Sequence, residues 1–216
     1  MMRRMAAAIA LVVTGASPFG VARADESSIA LGPWVGVVLL DPHLADYRWD
    51  TAPRAAWGVS GLAQAGRVAG GARVWRASTR QATGIPGDDR SLDVSLTGVD
   101  GIGEVRLARF AGARFVATGN VGVARFAWSP RTLELDGGPG GLPVEVDFAP
   151  VSALEGGGGL AVRRSLRWGL EAGASAERSW FSLATSHRRG NEIVTERETF
   201  GSWTGRFEIT RRLVAL

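Results

Sequence analysis

"LEAGASAERSW", Leu170 to Trp180, decides how the chain is read. Taken two residues at a time, it separates into Leu170, Ala172, Ala174, Ala176, Arg178 and Trp180 on one side. Glu171, Gly173, Ser175, Glu177 and Ser179 lie on the other. Alternate side chains of a strand point to opposite faces. The stretch therefore has one mostly apolar face of small residues and one face with two carboxylates. A soluble barrel turns its apolar face inward. A barrel in a bilayer turns that face outward and keeps a polar interior.

The beginning of the chain bears on that choice. "MMRRMAAAIALVVTGASPFGVARA" has a charged start at Arg3 and Arg4, an apolar run from Met5 to Val13, and Ala22-Arg23-Ala24 as a small-x-small cleavage site. This is the pattern of a secretory signal peptide, and its apolar run is too short for a spanning helix. Residues 1–24 are expected to be removed, leaving a mature domain of residues 25–216. The full chain carries 25 basic and 21 acidic residues, and loss of Arg3, Arg4 and Arg23 leaves 22 against 21. With charges so balanced and scattered, nucleic-acid binding is not expected. The absence of cysteine excludes disulfides, thiolate metal sites and lipid acylation at an N-terminal cysteine, and only two histidines are present. No cofactor or metal site is expected.

Thirty glycines and period-two apolar segments argue for strands. Eight segments are expected, over residues 28–40, 54–64, 67–78, 91–110, 114–129, 151–166, 170–185 and 198–214. Their connections alternate: very short at 65–66, 111–113 and 167–169, long and polar at 41–53, 79–90, 130–150 and 186–197. Such alternation marks an up-and-down meander with two unlike ends. Within the third long connection, "TLEL" and "PVEV" flank the turn-rich "DGGPGG", which reads as an extension of the fifth and sixth strands. In the fourth segment the apolar parity switches from Leu92, Val94 and Leu96 to Val99, Val105 and Leu107, which reads as a bulge near Gly98.

Three features favour the inverted, membrane case. Tryptophans Trp57, Trp75, Trp128, Trp168 and Trp180 sit near strand ends, where rings gather at a membrane interface. The face of Trp203, Phe207, Ile209 and Leu213 is apolar, as is that of Phe115, Ala117, Val121 and Val123. The opposite faces carry charges of both signs at mid-strand. Glu104, Arg106, Glu155, Arg163, Glu171, Glu177, Arg206 and Glu208, with Arg73 beside them, are expected to form an ion-pair network in the lumen. Gly156–Gly159 are expected to make room for interior arginines.

On this pattern of signal sequence, eight alternating strands and tight turns at one end, residues 28–216 resemble the small eight-stranded outer-membrane barrels of the OmpA-transmembrane-domain and OmpX type. No motif specific to a family carries the resemblance, and the terminal Leu216 departs from the aromatic end usual there. The resemblance implies an all-β, eight-stranded antiparallel up-and-down transmembrane barrel, with short periplasmic turns and longer extracellular loops. It implies residence in the outer membrane among its lipid and lipopolysaccharide, assembly by the barrel-assembly machinery, and a monomer.

Eight strands leave a lumen just wide enough for side chains to fill. The expected role is therefore non-enzymatic: structural, or surface interaction through the external loops, where His43, Tyr47 and Trp49 offer contacts. Two alternatives stand beside it. A lipid A-modifying enzyme needs a nucleophile, a base and an orienting carboxylate, for which Ser182, Ser186, His187 and Glu192 are the candidates. A small-ligand-binding or transport barrel needs a roomy interior.

Overall fold

The computed structural model describes residues 28–41, 43–44, 47–83, 89–135, 143–189 and 192–214. The expected leader, residues 1–24, lies outside them. Eight long strands form the wall: β1 (Ser28–Leu40), β2 (Arg54–Ala65), β3 (Val68–Ala82), β4 (Ser91–Phe110), β5 (Ala113–Ser129), β6 (Val151–Ser165), β7 (Leu170–Arg189) and β8 (Glu192–Val214). Each pairs antiparallel with its neighbours in sequence, and β1 pairs with β8 to close the barrel. Closure satisfies every strand edge along the wall, which a spanning sheet requires.

The faces follow the alternation in "LEAGASAERSW". Glu171, Glu177 and Ser179 are buried in the lumen, while Ala174, Ala176 and Trp180 are exposed on the outer wall. The outer wall is apolar around the ring: Val35, Val59, Val74, Val99, Val121, Leu160 and Phe207 are each 48–70% exposed. In water such a belt would be a severe aggregation liability; in lipid it is the solvated surface.

Three tight turns share one end. Gly66 (φ 62°), Ala111 and Gly112 (φ 48° and 78°), and Trp168 and Gly169 (φ 60° and 71°) take the left-handed backbone that two-residue hairpin turns demand. At Trp168 this conformation costs roughly 1–2 kcal/mol that a glycine would avoid.

Several expectations are corrected. β4 holds continuous register with β3 through Gly98, so no bulge lies there; the register shift against β5 falls between Arg106 and Ala108. The parity switch has another cause. Leu92, Val94 and Leu96 point inward with Asp100 and Glu104, into a lumen that is mostly apolar at the long-loop end and charged below. Their outward neighbours Asp93 and Thr97 are exposed and polar, which places that part of the wall above the bilayer. Trp75 and Trp128 turn inward rather than to an interface, Trp75 being buried and Trp128 packed on the core. Of the five tryptophans read as interfacial, Trp57, Trp168 and Trp180 do face outward, joined by Trp203.

The wall is also taller than expected. β3 continues to Ala82, and β7 and β8 pair up to Arg189 and Glu192, so most of the connection at 186–197 is strand. The "TLEL" segment pairs with Val144–Asp147, yet as a separate two-stranded ribbon. Pro130 and Pro150, which carry no N–H, stand between it and the wall.

Arg131 donates to the Asp147 carboxylate at the base of that ribbon, from Nε at 2.9 Å and from its terminal nitrogen at 3.1 Å. This hydrogen bond and the arginine's charge hold the Asp147 carboxyl below its ordinary 3.8. An acid depressed in the folded state stabilises it above the unfolded pKa and ceases to do so as pH falls through the lowered value. Protection of the Phe148 amide, which donates to the Arg131 carbonyl at 2.7 Å, should therefore hold at neutral pH and fall below about pH 4. Hydrogen exchange read by NMR checks this.

Candidate functional site

The lumen is filled in three tiers. At the long-loop end Trp49, Phe126, Phe181 and Phe200 pack ring against ring, with centroids 5.2–6.0 Å apart, above Trp75 and with Val94 and Leu96. Trp49 comes from the connection after β1, which is bridged to Gln81 of β3. It is 5% exposed, so the reading of Trp49 as part of an external contact surface is corrected: it plugs the barrel. The side chains of His43 and Tyr47 lie outside the described residues.

The middle tier is built around Glu177 of β7. Arg73 of β3 reaches across the lumen to it (3.0 Å) and also holds Asp100 of β4 (2.9 and 2.7 Å). Arg206 of β8 pairs with Glu177 and donates to Ser175 Oγ (3.1 Å), and Thr118 Oγ1 donates to Glu177 (3.2 Å). Trp34 lies against both guanidiniums, 6.0 Å from Arg73 and 5.3 Å from Arg206. Glu155 takes a hydrogen bond from Asn120 Nδ2 (3.2 Å) and lines the small cavity shared with Arg73 and Ser179.

The lower tier is centred on Arg163 of β6, which pairs with Glu104 of β4 and Glu208 of β8 and lies 3.8 Å from Glu171. Glu171 pairs with Arg114 and, at 2.7 Å, with Arg212, while Arg114 donates to Gln64 (2.6 Å). Arg106 faces the same cleft, whose volume is about 440 Å³ including its open mouth at the short-turn end.

All eight residues read from the sequence as a lumen network thus line the lumen, and ion pairs between described residues link Glu104, Arg163, Glu171, Glu177, Arg206 and Glu208. Two details differ from expectation. Besides the pairs expected among β6, β7 and β8, such as Arg206 with Glu177 and Arg163 with Glu208, others cross the lumen from β3 to β7 and from β6 to β4. Gly159 makes room for a carboxylate and not an arginine, since a Cβ there would lie 2.8 Å from Glu177 Cγ. Asp100, Arg114 and Arg212 were missed. Asp100-Gly101 is a turn dipeptide by composition, here at mid-strand, and Arg114 and Arg212 stand close to strand ends, where period two says least.

Burying these charges is costly unless each is matched. Arg73, Arg114, Arg163, Arg206 and Arg212 are met by Asp100, Glu104, Glu171, Glu177 and Glu208, five against five. Among the described residues no group of three or more histidine, aspartate or glutamate side chains is placed to hold a metal ion. The side chains of Ser186, His187 and Glu192 lie outside the described residues.

No protein-family model matches the chain, and no curated protein matches it by sequence. Among solved structures it is similar to Neisserial surface protein A, NspA, at 8% identity and a TM-score of 0.55, over 86% of this chain and 97% of that one. It also matches the outer membrane protein AlkL (13% identity, TM-score 0.43, 94% and 99% covered). The N-terminal β-barrel domain of Pseudomonas aeruginosa OprF matches at 10% identity and TM-score 0.37, with 87% and 100% covered. With its apolar outer belt and charge-matched lumen, the chain has the fold of a small eight-stranded outer-membrane β-barrel.

Proposed function

We propose that the mature chain is exported through its N-terminal leader and resides in the outer membrane as a sealed, non-enzymatic barrel whose function lies at its long-loop end. The observation that supports this is the filled lumen. An aromatic tier and two ion-pair tiers occupy the interior, so the barrel offers rigidity rather than passage. On this reading the protein is a monomer in outer-membrane lipid and lipopolysaccharide, delivered by the barrel-assembly machinery, with no nucleic-acid partner.

What the barrel presents outward is strand beyond the wall. From Leu183 to Arg189, β7 pairs only with β8, since its ladder to β6 ends at Ser182. Seven residues of paired strand extend roughly 23 Å at about 3.3 Å each. With the ribbon of Thr132–Leu135 and Val144–Asp147, this gives a surface-interaction role a structured platform.

Cell fractionation with heat-modifiable gel mobility tests location and barrel at once. The expected result is recovery with outer membranes and a faster-migrating unheated form. Purified protein in planar bilayers should show no steady conductance, and a stable single-channel current would overturn the sealed lumen.

A further inference from the structure

We infer that the outer surface at the β6–β7 turn is a binding site for anionic phospholipid headgroups of the periplasmic leaflet, formed by Arg164, Arg167, Arg211 and Trp168. The inference rests on the membrane reading above and adds a partner and a place to it.

At the long-loop end Arg80 is matched by Asp93 and Arg178 by Asp41, while Arg76 and Arg125 are exposed with no ion-pair partner among the described residues. At the short-turn end three unmatched arginines lie around a single turn. Arg164 at the end of β6, Arg167 in the turn and Arg211 on β8 are all exposed, and none has an ion-pair partner among the described residues. Arg164 and Arg211 continue the outward parity of Val162 and Ile209, and Arg211 pairs in register with Leu170 just past the turn. Among the described residues, the acids Glu104, Glu171 and Glu208 of this end face the lumen, where arginines already neutralise them. Arg164 and Arg211 thus flank β7 on either side and Arg167 sits in the turn that leads into it, at the lower edge of the apolar belt, with no carboxylate paired to them among the described residues.

Trp168 is the independent sign that this edge meets a lipid. It is 87% exposed and holds a left-handed backbone, with φ 60° and ψ 30°. Glycine, asparagine or aspartate suits that turn position, and a bulky aromatic does not. Turn geometry therefore does not account for the residue. An indole beside Leu166 (46% exposed) and Leu213 (49% exposed) fits a bilayer interface, where its ring meets acyl chains and its N–H meets headgroups. Guanidiniums at the same level pair with phosphate through two parallel N–H donors. A lipid phosphate lies at this border by default, and an anionic headgroup adds net charge to match the three arginines.

The test uses the mature protein refolded into phosphatidylcholine vesicles that contain a minor fraction of brominated phosphatidylglycerol or, separately, brominated phosphatidylcholine. Quenching of Trp168 is read as the difference between the wild type and Trp168→Phe. The anionic lipid should be enriched about fivefold at Trp168 at low salt, with the enrichment abolished by high salt and by the triple variant Arg164→Gln, Arg167→Gln, Arg211→Gln. Arg80→Gln, at the other end, should leave it intact. Equal quenching by the two lipids, or a preference that survives the triple substitution, would overturn the site. Vesicle flotation separates the two levels of failure. A chain that does not float refutes the membrane reading, whereas one that floats without preference refutes this inference alone.

Discussion

Glu177→Ala should lower the stability of the folded barrel by about 3–5 kcal/mol, measured as a shift in the urea midpoint in vesicles. Glu177 is 2% exposed and is the shared partner of Arg73 and Arg206, with Thr118 as a third donor. Its removal leaves two guanidiniums with one ion-paired carboxylate, Asp100, which already binds Arg73. Arg206 then keeps only Ser175 Oγ and the ring of Trp34. Water cannot replace the lost carboxylate easily, because the aromatic tier closes the lumen above. Two comparisons make the claim specific. Asp93→Ala breaks an ion pair whose side chains are 58% and 70% exposed, and should cost no more than about 1 kcal/mol. The double variant Glu177→Ala, Arg206→Ala should cost less than the sum of its singles, because the orphaned charge leaves with its partner. If Glu177→Ala and Asp93→Ala were equally mild, the middle tier would not be a buried network.

The faces of that tier were readable from eleven residues. In Leu170 to Trp180 the carboxylates share one parity, and the structure keeps that parity as far as Ala184. The three tight turns were readable too, since glycine marks each of them. What the sequence hid is that the facing of the barrel reverses once along its axis. Below, lipid lies outside and charge inside; above, water lies outside and rings lie inside. Period-two alternation has no absolute sense of face, so Leu92 to Leu107 looked like a slipped strand when only its surroundings changed. Partners were hidden for another reason. Arg73 and Glu177 are 104 residues apart and meet only because closure brings β3 opposite β7, which no local pattern contains. The aromatic tier shares this difficulty, since Trp49, Phe126, Phe181 and Phe200 come from four separate parts of the chain.

Phe207→Arg should destabilise the barrel by roughly 2–4 kcal/mol, with the effect falling toward about 0–1 kcal/mol at Leu213→Arg. Both side chains face outward on β8, 50% and 49% exposed. They differ in depth. Phe207 stands four residues from Trp203 at one border of the apolar belt and four from Arg211 at the other, which places it near the midplane. Leu213 lies beyond Arg211, so an arginine there joins charges that already reach the headgroups. At Phe207 the guanidinium must be dragged into hydrocarbon or snorkel across half the leaflet. Ile209→Arg, between them, should fall between them in cost. The measurement is again the urea midpoint in vesicles, with heat-modifiable mobility confirming that each variant folds. A barrel in water predicts the opposite ordering: an exposed Phe207 replaced by arginine would be within about 0.5 kcal/mol of neutral, and depth along the strand would not matter. The gradient along a single strand therefore reads out which solvent the apolar face meets.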